Sequence, residues 1–241
     1  MTKKIILISS LIFSSLNANA QLNVLKKGLE AKSPIKTGTS SLSEDEVAKG
    51  LKEALNKGIE KGVDQLSATD GYLKDLSVKI PMPDEASVIE SKLRAIGQGK
   101  LVDNVIESMN RAAEDASSSA KELFVVAIKN LTLKDVMNIL NGNDDAATQY
   151  LSASTRTDLA LKFTPIIKTS LDKVGATKNW ELMVNAYNKI PLVKKLNPDL
   201  VEYSTNKAID GLFIKVAQQE KEIRNNQSSR TTDLLKKVFS K

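Results

Sequence analysis

The sequence predicts an all-α fold. Apolar residues return every three or four positions along most of the chain after residue 42, and residues that start and stop helices separate these stretches. No alternating run of strand type and useful length occurs. The expected organisation is a signal peptide (1–20), a flexible leader (21–42) and a single bundle-like helical domain (43–241) of about nine helices.

Lys3 and Lys4 form a short positive segment. Ile5 to Ile8 and Leu11 to Leu16 follow as an apolar run, and Ala18-Asn19-Ala20 then presents the small-x-small pattern that a signal peptidase pocket accepts. The run is too short for a spanning helix, which needs roughly 20 apolar residues. Cleavage after Ala20 with delivery to the periplasm or the exterior is therefore expected, and lipidation is excluded because the chain has no cysteine. Residues 21–42 carry Lys26, Lys27, Lys32 and Lys36, then Thr37-Gly38-Thr39-Ser40-Ser41, with no sustained apolar face.

Ser43 with Glu46 forms a capping box that opens the first helix, and Val47, Leu51, Leu55, Ile59, Val63 and Leu66 follow at helical spacing. Ile80-Pro81-Met82-Pro83 forces an extended passage. Asp84 is then expected to cap a helix bearing Val88, Ile89, Leu93 and Ile96, with Gly97 ending it. Leu101 to Ala116 and Leu123 to Leu131 carry two further apolar stripes. Thr132 with Asp135 caps a short helix that Asn141-Gly142 stops. Asn143 starts the next one, with an interruption expected near Thr155 to Thr157. Leu159 to Val174 continue helically to Gly175, with Pro165 marking a kink or an early helix position. Trp180, Val184 and Tyr187 lie on a helix that ends before Pro191. Asn197-Pro198 is the expected cap and first position of a long helix reaching about Arg224, and Thr231 or Thr232 caps a last short one.

Composition narrows the chemistry. The chain has 35 Lys and Arg against 29 Asp and Glu, a net charge of +6; without Lys3 and Lys4 the balance is 33 to 29, or +4. That mild excess reads as a solvated helical surface rather than a nucleic-acid footprint. With no cysteine there is no disulfide, thiol nucleophile or thiolate metal site. With no histidine, a Ser-His-Asp triad and the commonest zinc and haem ligand are excluded too. Catalysis would rest on carboxylates, Lys, Tyr or a Ser-Lys pair. No cofactor is implied, and any metal would be a hard, oxygen-ligated cation.

Asn141-Gly142-Asn143-Asp144-Asp145 looks like the opening of a calcium loop, but Ala146 stands where that loop needs glycine and Ser152 where it needs glutamate. Asp144 and Asp145 read better as an acidic first turn complementing the helix dipole. Ser118-Ser119-Ala120-Lys121 and Ser33-Pro34-Ile35-Lys36 fit S-x-x-K by chance spacing, as Lys36-Thr37-Gly38 fits K-T-G. Asn110-Arg111 and Asp210-Gly211 are polar insertions in apolar helical stretches, read either as an anion clamp or as interhelical pairs. Arg230 belongs to a polar stretch before the last helix, where a helix N-terminus could receive an anion.

The stretches GLKEALNKGIEKGVDQL (50–66), GYL (71–73), VKIPMP (78–83), MNRAAEDA (109–116), NGNDDAATQY (141–150), YSTNKAIDGLF (203–213) and RTTDLLKKVF (230–239) together resemble domain-of-unknown-function family 4197, found in bacterial exported proteins. The resemblance implies a helical exported domain and brings no catalytic residues with it.

The favoured reading is a non-enzymatic periplasmic protein that binds an envelope protein or itself, with no nucleic-acid partner and no transmembrane span after cleavage. A second reading is a carrier of a small anionic ligand, or a His-free enzyme, using Asn110, Arg111, Asp144, Asp145, Asp210 and Arg230 in an interhelical pocket. Peripheral membrane contact is a third.

Overall fold

In the computed structural model, residues 42–189, 191–197 and 199–240 are described. The signal segment with Ala18 and Ala20, the leader up to Ser41, and Pro198 lie outside them. Nine α-helices and two 3₁₀ turns account for the architecture of the described residues, with no strand among them. The helices are α1 (Glu44–Ser67), α2 (Ser87–Ala95), α3 (Gly99–Ser117), α4 (Ala120–Lys129), α5 (Leu133–Leu140), α6 (Ala146–Lys173), α7 (Ala176–Tyr187), α8 (Leu200–Asn225) and α9 (Asp233–Val238). None of them is long and apolar enough to cross a membrane.

The long helix α8 is the axis. It packs against α1, α3 and α6, and α3 in turn packs along α6. Its buried residues include Ala208, Ile209, Leu212, Phe213 and Val216, which lie on more than one face because neighbours surround it. Helix α4 bridges α1 and α6, α5 closes the same end, and α9 lies on α1. The core is continuous from Leu51 and Val63 through Met109, Phe124, Leu159 and Phe163 to Trp180 and Leu212. Phe124 and Phe213 meet edge to face, with centroids 5.9 Å apart.

The cap signatures form as the sequence predicts. Ser43 and Glu46 exchange both bonds of a capping box, as do Thr132 and Asp135, and Thr232 caps α9. Gly97 and Gly175 take positive φ, 79° and 70°, a region glycine enters without a Cβ clash.

Five features of four elements differ from expectation. Helix α6 runs unbroken through Thr155 and Thr157 and carries Pro165 in its interior. Thr155 is buried and its hydroxyl donates to the Leu151 carbonyl at 2.6 Å, so the helix satisfies the polar group itself. The start of α6 is capped by neither Asn143 nor Asp145 through a side chain. Its amides instead meet a carboxylate from α8, described below. Helix α8 is capped by Asp199 rather than Asn197: Asp199 Oδ1 accepts the Glu202 N–H at 2.8 Å, while Asn197 Oδ1 accepts the Asp199 N–H at 2.9 Å in a preceding turn. Asp84 opens a 3₁₀ turn (Asp84–Ala86) and makes no side-chain cap. Finally, α2 buries none of its residues. Val88 is 46% exposed and Ile96, just past its end, 70%, because α2 rests chiefly on the first turns of α3.

Candidate functional site

The polar residues of α3 define the chemistry nearest a surface cleft. Asn110 turns inward and is wholly buried. Its Oδ1 accepts the Ile80 N–H at 2.8 Å, and its Nδ2 donates to the Ile80 carbonyl at 2.8 Å and the Ile106 carbonyl at 2.7 Å. Pro81 and Pro83 keep that segment extended and out of any helix, so Ile80 has no ladder partner; the Asn110 amide supplies both bonds.

One residue on, Arg111 turns towards the surface. Its Nη1 meets Glu114 Oε2 at 2.8 Å, its Nη2 meets Asp70 Oδ1 at 2.8 Å, and Glu107 stands 3.7 Å away. Bonds from Glu114 and then Asp70 push the Arg111 guanidinium further up from its already high ordinary value. Bonds from Lys74 first and Arg111 second hold the Asp70 carboxyl below its usual range. Glu114 is 5% exposed and its Oε1 also accepts the N–H groups of Tyr72 and Leu73, at 3.1 and 3.2 Å. Glu114 thus ties the 71–73 turn to α3.

Tyr72 is fully buried and its hydroxyl donates to the Ala208 carbonyl at 2.7 Å. Burial, with the nearby Glu114 charge, raises the pKa of this phenol. The ring lies so close to α8 that a Cβ on Gly211 would sit 2.6 Å from Tyr72 Cε1. Three sequence motifs (71–73, 109–116 and 203–213) therefore meet in one buried network.

Arg111 also marks one end of a groove. Two adjoining cavities of about 600 and 360 Å³ run between α3 and the corner where α6 passes into α7, and Asn104, Ser108 and Val174 belong to both walls. From Leu101 to Asp115 the groove follows α3 for about 21 Å, at 1.5 Å rise per residue. Glu107, Arg111, Asp115 and Lys173 charge one end, where Ser170 donates to Asp115 at 2.7 Å. Leu101, Val105, Leu182 and Met183 make the other end apolar. Leu182 is 62% and Leu101 48% exposed, so this end presents apolar surface to solvent.

The remaining sequence candidates lie elsewhere. Asp210 pairs with Arg156 of α6 beside the Phe213 ring, over which the guanidinium sits 5.6 Å from the centroid. Asp144 accepts from Asn225 Nδ2 at 3.0 Å and lines a separate cavity near α9, and Asp145 accepts from Gln149 at 3.0 Å. Arg230 donates to the Ile223 and Arg224 carbonyls at 3.0 and 2.7 Å, closing the C-terminus of α8. Asp144 and Arg230 thus both reach the end of α8, Asn110 and Arg111 share the α3 network, and Arg111 is the one of the six that lines the groove. Of the S-x-x-K matches, Ser118 ends α3 and Lys121 pairs with Asp64 of α1 at 2.6 Å; residues 33–38 lie outside the described ones. No three Asp or Glu side chains gather as a metal-holding group among the described residues.

Two functional acids escape a reading of the sequence alone. Glu114 sits among Ala112, Ala113 and Ala116, and an acid on that otherwise buried alanine face, one turn from Asn110, is the signal that could have marked it. Glu220 of α8 accepts the Ala147 and Thr148 N–H groups at 3.0 and 2.8 Å and the Thr148 hydroxyl at 2.8 Å, so it caps α6 across the fold. Arg224 pairs with Glu220 at 2.8 Å and donates to the Ile139 carbonyl at 2.7 Å, capping the end of α5. The backbone groups that Glu220 and Arg224 hold lie 72 to 85 residues from them, so no local motif announces the clasp.

These features define an all-α protein with a graded charged-to-apolar groove and a structural ion network behind its charged end. A family profile described as a protein of unknown function (DUF4197) matches residues 41–240. The chain belongs to that family, as the sequence resemblance anticipates. No curated protein and no solved structure matches it.

Proposed function

We propose that this chain is an exported, non-enzymatic binding protein of the cell envelope, and that an amphipathic helical segment of a partner protein lies in the groove between α3 and the α6–α7 corner. The grading of the groove carries this reading. Leu101, Val105, Leu182 and Met183 offer an apolar bed that a helix could cover with residues one turn apart, and methionine adapts to varied shapes. Glu107, Asp115 and Lys173 present both signs of charge at the far end, which would fix the direction of the bound segment. The length of about 21 Å suits roughly four helical turns. Export rests on Lys3 and Lys4, the short apolar run and Ala18-Asn19-Ala20.

A photo-crosslinking amino acid placed at Asn104 or Leu182 tests the groove, with Lys134 on α5 as the control position. The reading expects adducts from the groove positions whose partner peptide carries apolar residues at helical spacing and charges at one end, and their loss on Leu182→Asp. Equal labelling from Lys134, or none from the groove, would refute it. Export is checked separately. The periplasmic form should begin at Gln21, and Ala18→Leu with Ala20→Leu should leave the precursor unprocessed.

A further inference from the structure

Helix α2 has nine residues and buries none of them, although a helix this short ordinarily draws its stability from a packed apolar face. Ile89 and Leu93 are half-buried against the edge of the core, and Arg94 donates to both Glu90 and Asp103, which ties α2 to α3. Val88, Lys92 and Ile96, each four residues from the next, form a ridge along the helix and its C-terminal cap that is left to solvent among the described residues.

The same molecule carries an uncovered apolar bed. Leu101 lies five residues after Ile96, on the first turn of α3, and lines the groove with Leu182 and Met183. Val88 to Ile96 spans about 12 Å at 1.5 Å per residue, within the groove's length of about 21 Å. Charge fits as well. At the charged end Arg111 is satisfied by Glu114 and Asp70, and Asp115 accepts from Ser170. Glu107 is exposed and has only the 3.7 Å contact to Arg111, so it is the acid open to a partner. Arg111 and Lys173 offset Glu107 and Asp115 in total charge, so that end as a whole repels neither sign. Lys92 is exposed and forms no ion pair among the described residues.

Resting on the groove reading above, we infer that the segment in the groove is α2 of a second copy of this chain. Two copies close around a two-fold axis, each α2 laying Val88 and Ile96 on the other's Leu101 and Leu182, with Lys92 meeting Glu107. The ridge and the bed adjoin on one molecule, so both contacts form at once and no open end remains to recruit a third copy. Grouped exposed apolar side chains of this kind mark protein–protein contacts.

Sedimentation velocity of the purified full chain, read over a range of concentrations, should show reversible exchange between monomer and dimer. Ile96→Asp and Leu182→Asp, both exposed changes, should each raise the dissociation constant by roughly tenfold or more, with Trp180 fluorescence confirming the fold of each variant. Lys92→Glu and Glu107→Lys should each weaken the dimer, and together they should restore it, which a merely structural role would not produce. A photo-crosslinker at Asn104, in a mixture of light and heavy-isotope copies, should link to residues 87–96 of the other copy. A strictly monomeric chain, a dimer unmoved by both aspartates, or a charge exchange that restores nothing overturns the inference. If Asn104 instead captures a helix of a different protein, the groove reading stands and α2 is not its occupant; with no adduct of any kind, both fall.

Discussion

Replacing Glu114 by alanine would leave two backbone N–H groups, the buried one of Tyr72 and the half-buried one of Leu73, without their acceptor. Each such donor costs about 1–3 kcal/mol when water cannot replace the lost partner. Arg111 would keep Asp70 and part of its exposure to solvent, so its own loss is smaller, about 1 kcal/mol or less. The expected destabilisation is about 3–5 kcal/mol, in line with breaking one side of a buried pair. Glu114→Gln is the informative comparison. A glutamine oxygen still accepts both N–H groups, while its NH2 replaces the oxygen that accepted from Arg111 Nη1. The Arg111 hydrogen bond and charge are lost but the turn keeps its acceptor, so the expected loss falls to about 1–2 kcal/mol. Urea unfolding followed by the fluorescence of Trp180, which is buried and unique, measures both. If the two variants are equally destabilised, or if the alanine variant loses under about 1 kcal/mol, Glu114 does not act by receiving the 71–73 turn.

Three further outcomes follow from the same geometry. Gly211→Ala should destabilise by about 1–2 kcal/mol, because a Cβ 2.6 Å from a buried ring held by its hydroxyl outweighs the helix propensity gained by alanine; thermal unfolding reads this. Glu220→Ala should cost about 3–5 kcal/mol and raise amide exchange at Ala147 and Thr148 before the rest of α6, whereas uniform exchange would exclude a capping role. Asp70 and Asp135 have native pKa values lowered, Asp70 by Lys74 and then Arg111, Asp135 by the Thr132 hydroxyl and amide. Their contribution is present above the ordinary carboxylate value near 4 and is lost as pH falls through the lowered native values. With no histidine to titrate, the melting temperature should be flat between about pH 6 and 8 and fall below about pH 4; a transition near pH 6 to 7 would contradict this.

The helices and their ends were legible in the sequence wherever the signal is local. Ser43 with Glu46 and Thr132 with Asp135 work as caps because donor and acceptor lie three residues apart on one chain, and no tertiary contact is needed to form them. The apolar stripes of α1, α3 and α8 likewise announce a buried face through their period. Expectation failed where a distant residue settles a local question. Thr155 to Thr157 look like a break until Leu159, Phe163, Ile167 and Leu171 are packed into the core along the same helix. Asn143 looks like a cap until Glu220, more than seventy residues away, takes the amides of α6. The polarity of Asn110 and Arg111 could be seen in advance, but not that one faces Ile80 and the other a groove.

The sequence by itself therefore determined the class of fold and which chemistries are closed to a chain without cysteine or histidine. Those properties depend on residue types and short spacings. Tertiary structure decided that α2 stays on the surface, that Glu114 and Glu220 act as anchors, and that a groove opens beside α7. A cleft exists only where helices fail to touch. It is a consequence of packing, which no one-dimensional pattern of residues contains.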